Sequence, residues 1–159
     1  MSDLRIDVAD LLTHPGSRRP LVREAAMAGL GGRAARVAEQ IRVDLVLERV
    51  PGGLVARGTI NAHWSGECSV CLVDLSDDLG AAVSELFEER FVDGETYPLL
   101  GHEIDLEQLV RDAVLLELPL APTCESTGAP PCRPVDVNDD ADDGAPVDPR
   151  WAALSELEL

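Results

Sequence analysis

The sequence predicts an α+β domain: an antiparallel, partly barrel-like β-sheet with one main packed helix, followed by a disordered acidic tail. Three observations carry that prediction. Two runs of apolar–polar alternation flank the turn Pro51-Gly52-Gly53, an apolar stripe at helical spacing runs through residues 105–117, and residues 135–149 hold six Asp with few apolar residues. At 159 residues and 45% hydrophobic content the chain suits one domain, 1–134, with a tail at 135–159. Its core is expected to be aliphatic, since aromatic residues make up 3%.

Taken in order, Leu4–Leu12 opens on a short alternating strand pattern and Thr13–Pro20 is a loop. Residues 21–40 stay open between a broken helix and a loop with an extended arm. Their alanine content favours helix, while Gly29, Gly31 and Gly32 interrupt it. Ile41, Val43, Leu45 and Leu47 alternate with mostly polar residues, which predicts a half-buried strand over 41–49. Leu54, Ala56, Gly58, Ile60, Ala62 and Trp64 alternate likewise, so 54–64 completes a β-hairpin that ends at a cysteine pair.

Residues 72–91 continue as a third strand, with a helix from Gly80 as the alternative, and 92–103 are a loop. In 105–117, Asp105 is a suitable N-cap. Leu106, Leu109, Val110, Ala113, Val114 and Leu116 form the apolar face, and Pro119 ends the helix. Trp151–Leu159 is expected to form a short terminal helix.

The net charge of −17 is unevenly spread. Residues 1–60 hold nine arginines against seven acids, residues 61–159 hold 23 acids against four arginines, and the chain has no lysine. So acidic a body repels phosphate backbones and suits a basic partner or simple solubility. The absence of a long apolar run and of a signal-peptide pattern at the start predicts a cytoplasmic protein with no membrane partner.

In a reducing compartment four cysteines point to metal or redox chemistry before disulfides. Cys68 and Cys71 stand two residues apart, the arrangement that presents two sulfurs to one metal. Cys124 and Cys132 follow the helix with seven residues between them. Together they can supply four thiolates to one structural zinc per chain, and four uncommitted thiols are the alternative. A redox pair fits less well, because a hairpin and not a strand–helix junction leads into Cys68. His63 is a substitute ligand or a surface residue, with no orienting partner for Cys–His catalysis in view. No phosphate-binding loop with Lys and no HExxH pair is present, and no enzymatic activity is expected.

The order "DVADLLTHPGSRRPL", the hairpin ending in "CSVCL", the acidic strand ending "ELFEERF" and the helix "IDLEQLVRDAVLLELPLAPTC" resembles the YceD family of bacterial and plastid proteins. The likeness spans roughly residues 4–132. Cys68, Cys71 and Leu72 match the family's C-x-R-C-L, with Val70 in place of the Arg. Gly128 and Val135 stand where relatives carry further cysteines. The resemblance implies a role in large ribosomal RNA accumulation and ribosome assembly, not catalysis. With that role, the uneven charge suggests that the acidic body binds a basic ribosomal protein or a large-subunit precursor and shields the basic protein before it meets RNA, while Arg18, Arg19 and Arg23 make local RNA contacts. An adaptor for another basic protein and a thiol redox enzyme are the competing readings.

Overall fold

A computed structural model describes residues 4–133; the expected disorder of 135–159 and the terminal helix lie outside them. Seven strands form one curled half-barrel sheet in the order β1-β7-β6-β5-β4-β3-β2. These are β1 (Arg5–Asp7), β2 (Arg18–Ala26), β3 (Ala35–Val50), β4 (Gly53–Glu67), β5 (Asp74–Glu88), β6 (Tyr97–Leu100) and β7 (Glu103–Asp105). Two helices accompany them, α1 (Ala9–Leu12) and α2 (Glu107–Glu117).

The hairpin forms where the alternation puts it. β3 and β4 pair antiparallel from Val50↔Gly53 outward, and Gly52 takes the left-handed conformation (φ 94°) that so tight a turn needs. Ile41, Val43, Leu45 and Leu47 are buried, as are Leu54, Ala56, Ile60, Ala62 and Trp64. Gly58 is fixed by packing: a Cβ there would lie 2.1 Å from the Asp44 carbonyl oxygen on β3. The third strand is also present, paired with β4 from Gly53↔Glu88 to Glu67↔Asp74, so the helical alternative from Gly80 is not taken.

Three expectations are corrected. Residues 18–20, expected as loop, and 21–26, open between a broken helix and a loop with an extended arm, form one full strand: Arg18↔Glu48 through Ala26↔Gln40 make a continuous antiparallel ladder. Pairing along the whole segment outweighs the helix preference of its alanines. β2 is an edge strand, which is where Pro20, lacking an N–H, is tolerated. The expected loop at 92–103 contains β6 and the start of β7. β6 runs parallel to β5 (Phe87↔Tyr97, Glu88↔Pro98), so the sheet is mixed, not purely antiparallel.

The main helix starts two residues later than expected. Asp105 ends β7, yet its carboxylate still accepts the Glu107 N–H at 2.9 Å, as a capping side chain does. Leu106, Leu109, Val110 and Val114 are buried, whereas Leu116 is 86% exposed and lies off the packed face. Leu118 is extended (φ −65°, ψ 130°), as the residue before a proline must be, and the helix stops there. Against the middle of α2, the Phe87 and Tyr97 rings stack at 5.3 Å and the Tyr97 hydroxyl donates to Asp112 at 3.0 Å. Burial first, and then that carboxylate, pushes the Tyr97 phenol up to about 12.

The open seam of the half-barrel is bridged by a side chain. Arg19 on edge strand β2 donates to the Asp7 carbonyl at 2.7 Å and to the Asp10 carboxylate at 2.6 Å, reaching β1 and α1 on the far edge. Among the described residues no helix is long and apolar enough to cross a membrane.

Candidate metal centre

β4 leaves the sheet at Glu67 and β5 re-enters it at Asp74, so residues 68–73 form a tight turn at the sheet's end. The Cys68 N–H donates to the Val73 carbonyl at 2.8 Å and the Leu72 N–H to the Cys68 carbonyl at 3.0 Å, closing the turn. The Val70 N–H points at the Cys68 sulfur at 3.4 Å. Leu72 adopts φ 62°, the one positive φ outside glycine among the described residues.

The second pair arrives after α2. Cys124 caps a short 3-10 turn, Glu125–Thr127, which Gly128 ends in the left-handed conformation (φ 74°). The Ala129 N–H returns to the Cys124 carbonyl at 2.9 Å, so the chain folds back within a few residues. That compact turn is why seven intervening residues still allow both sulfurs to face one point. The Ser69 N–H donates to the Pro122 carbonyl at 2.8 Å, joining the two loops directly.

All four sulfurs, of Cys68, Cys71, Cys124 and Cys132, lie within 4.8 Å of one another, and all four are free thiols. Cys68 and Cys132 approach to 3.6 Å, as do Cys71 and Cys124. A tetrahedron with Zn–S of about 2.3 Å has an edge of about 3.8 Å, so the spacing fits four thiolates around one ion. Cys68 and Cys124 are buried and the other two half-buried.

The sulfurs differ in proton affinity. Backbone N–H groups, that of Cys71 foremost, hold the Cys68 thiol down at about 6 against the opposing effect of burial. Burial pushes Cys124 up to about 12, helped by hydrogen bonds to the neighbouring thiols. The hydrogen bond with Cys71, followed by burial, also raises Cys132. The cluster thus favours the thiolate at Cys68 and the protonated thiol at Cys124 and Cys132, whose protons a metal ion would have to displace.

His63 does not join the cluster. It projects from β4 onto the sheet surface, where its Nδ1 lies 3.0 Å from the Asp78 carboxylate on β5. The expected RNA-contacting arginines also have structural partners. Arg18 pairs with Glu48 at 2.8 Å, Arg19 spans the seam, and Arg23 donates to the Val22 carbonyl at 2.9 Å.

Together the fold and the cluster define a class of small protein: a β half-barrel whose tip turn is joined through four thiols to the loop after its packed helix. The chain belongs to the YceD family. The family model described as large ribosomal RNA subunit accumulation protein YceD matches residues 56–158, which supports a ribosome-related role. The chain is 32% identical to the uncharacterized protein Rv2926c of Mycobacterium tuberculosis, over 98% of its own length and 82% of that protein. It is 29% identical to the uncharacterized protein ML1660 of Mycobacterium leprae over 99% and 78% of the two chains. With the uncharacterized protein YlbN of Bacillus subtilis the identity is 28%, over 86% and 77%. No solved structure gives a significant match.

Proposed function

We propose that this protein is a non-enzymatic factor in large ribosomal subunit assembly. In this reading one structural zinc, held by Cys68, Cys71, Cys124 and Cys132, fixes its tip, and its acidic surface binds a basic ribosomal protein or assembly intermediate. The observation that carries the reading is the convergence of four sulfurs within 4.8 Å in a chain of the YceD family. A site with four protein thiolates leaves no position for water or substrate, so the ion would hold the two loops together and perform no chemistry.

The charge supports the choice of partner. Residues 61–159 carry 23 acids against four arginines, which favours encounter with a basic protein and disfavours RNA. RNA contact falls to arginines without an ion pair among the described residues, namely Arg23, Arg33, Arg36, Arg49, Arg57, Arg90 and Arg133.

Co-sedimentation of the zinc-loaded full chain with ribosomal fractions tests the proposal. It should travel with free large-subunit precursors, be absent from mature ribosomes, and dissociate as salt is raised. Association with basic proteins outside the ribosomal fractions would support the adaptor reading, and catalysed thiol–disulfide exchange would support a redox enzyme.

A further inference from the structure

Leu72 has a backbone conformation that leucine disfavours and a side chain the core does not use. Its φ of 62° lies in the left-handed region, where Cβ crowds the carbonyl and glycine is the usual occupant. Yet the side chain is 62% exposed, and that of the adjacent Val73 is 50% exposed. A strained residue that contributes little to packing points to a use for its side chain outside the fold.

The surroundings say what kind of use. Glu67 and Asp74 face each other across the β4–β5 ladder at the base of this turn. Like charges directly opposite are unfavourable. Both are exposed, as is Glu125 in the 3-10 turn that follows Cys124. None of the three carboxylates has an ion pair among the described residues. Arg33 and Arg36 line the same surface cavity of about 610 Å³ as Glu67 and Asp74, yet neither reaches ion-pair distance. The tip is therefore an apolar pair beside three exposed carboxylates that form no ion pair among the described residues, with Arg33 and Arg36 sharing a cavity with two of them.

We propose that this tip is the surface that docks the basic partner. Leu72 and Val73 enter an apolar recess of that protein, while Glu67, Asp74 and Glu125 meet its lysines or arginines. The inference rests on the ribosome-assembly reading above and adds where the contact lies. An apolar centre inside a charged rim is the arrangement of protein interfaces. The closed turn and the cysteine cluster beneath it hold the two side chains in place before binding, so little ordering remains to oppose association. Three carboxylates around the tip disfavour RNA as its occupant.

The test measures binding of the full-length, zinc-loaded protein to individually purified basic proteins of the large subunit, with naked large-subunit RNA in a parallel arm. Leu72→Gly relieves the left-handed strain, so melting temperature and zinc content should stay level or rise while affinity for the bound protein falls at least tenfold. Val73→Ser, at a position free of that strain, should weaken binding in the same direction. Glu67→Gln with Asp74→Asn should slow association and flatten its salt dependence. Val46→Thr, an exposed aliphatic position on the sheet, should change nothing. Unaltered binding by Leu72→Gly and Val73→Ser overturns the docking surface even if the ribosomal partner is real. Binding to RNA alone, lost on removing Arg33 and Arg36, also overturns it. If the wild-type chain binds no large-subunit protein, the assembly reading fails and the surface with it.

Discussion

Stripping zinc from the four-cysteine cluster should loosen the whole end of the sheet, because the ion would join segments that share little else. Cys71 and Cys124 stand 53 positions apart in the chain and, their sulfurs aside, the two loops are tied by the Ser69–Pro122 backbone bond. Binding that occurs in the folded state alone stabilises by mass action, about 4.1 kcal/mol when free metal stands a thousandfold above its dissociation constant. For a domain of this size that corresponds to a fall in melting temperature of roughly 10–20 °C on chelation. Protein purified without added metal should carry about one zinc per chain by elemental analysis, and Cys68→Ser should carry much less and melt as the chelated wild type does.

The proton accounting gives the pH dependence its sign. Thiolates bind the ion and protons compete for them, so affinity rises with pH. At neutral pH Cys68, held at about 6, has already lost its proton, while Cys124, pushed up to about 12, and Cys132, also raised, have not. Lowering the pH through about 6 adds the Cys68 proton to those the metal must displace. A plot of log affinity against pH, from competition with a chromophoric chelator, should therefore steepen by about one unit of slope on the acid side. Chelated protein that keeps its full melting temperature would refute the structural role, and a slope constant through this range would refute the assignment of Cys68 as the favoured thiolate.

Two further outcomes follow from the packing. Gly58→Ala forces a Cβ to within 2.1 Å of the Asp44 carbonyl at a φ of 152°, and denaturant unfolding should show a loss of about 2–4 kcal/mol. Tyr97 is held up at about 12 against an ordinary 10, so the fold keeps the proton that the unfolded chain releases. Stability should be intact below pH 10 and fall between 10 and 12, and Tyr97→Phe should flatten that part of the profile.

The hairpin and the main helix were legible because their signals are local. A period of two in Ile41–Leu47 and Leu54–Trp64, with a Pro-Gly turn between, leaves one way to bury the apolar face. The Leu109, Val110 and Val114 spacing does the same for α2. Leu116 misled because apolar spacing alone does not say how wide a stripe the sheet will cover. β2 was not legible: only Leu21 and Ala25 of its nine residues are buried hydrophobics, so its strand character comes from β3 beside it. β6 meets β5 in only two register pairs, too few to mark a sequence. The structure brings the four cysteines together, their sulfurs within 4.8 Å of one another. The 3-10 turn that gathers the second pair was hidden in Glu125–Gly128, which reads as plain loop.

The arginines change the meaning of the charge. By count, residues 1–60 are slightly basic and look suited to RNA. In the fold, Arg5 pairs with Asp105, Arg18 with Glu48, Arg19 with Asp10, and Arg42 with Glu24 and Asp44. Several of these contacts join separate strands, and the Arg19 contact spans the seam where the sheet would otherwise stand open. Four of the nine arginines in residues 1–60 are thus matched within the domain. Glu67, Asp74 and Glu125 have no such match, and they surround the tip that four thiols hold rigid. Other exposed carboxylates, such as Glu39, Asp93 and Glu117, also lack an ion pair among the described residues, but Glu67, Asp74 and Glu125 are the ones that lie beside the turn where the backbone is strained and Leu72 and Val73 are exposed. That coincidence favours a basic protein, met at the cysteine end of the sheet, over a nucleic acid met along its arginine-bearing strands.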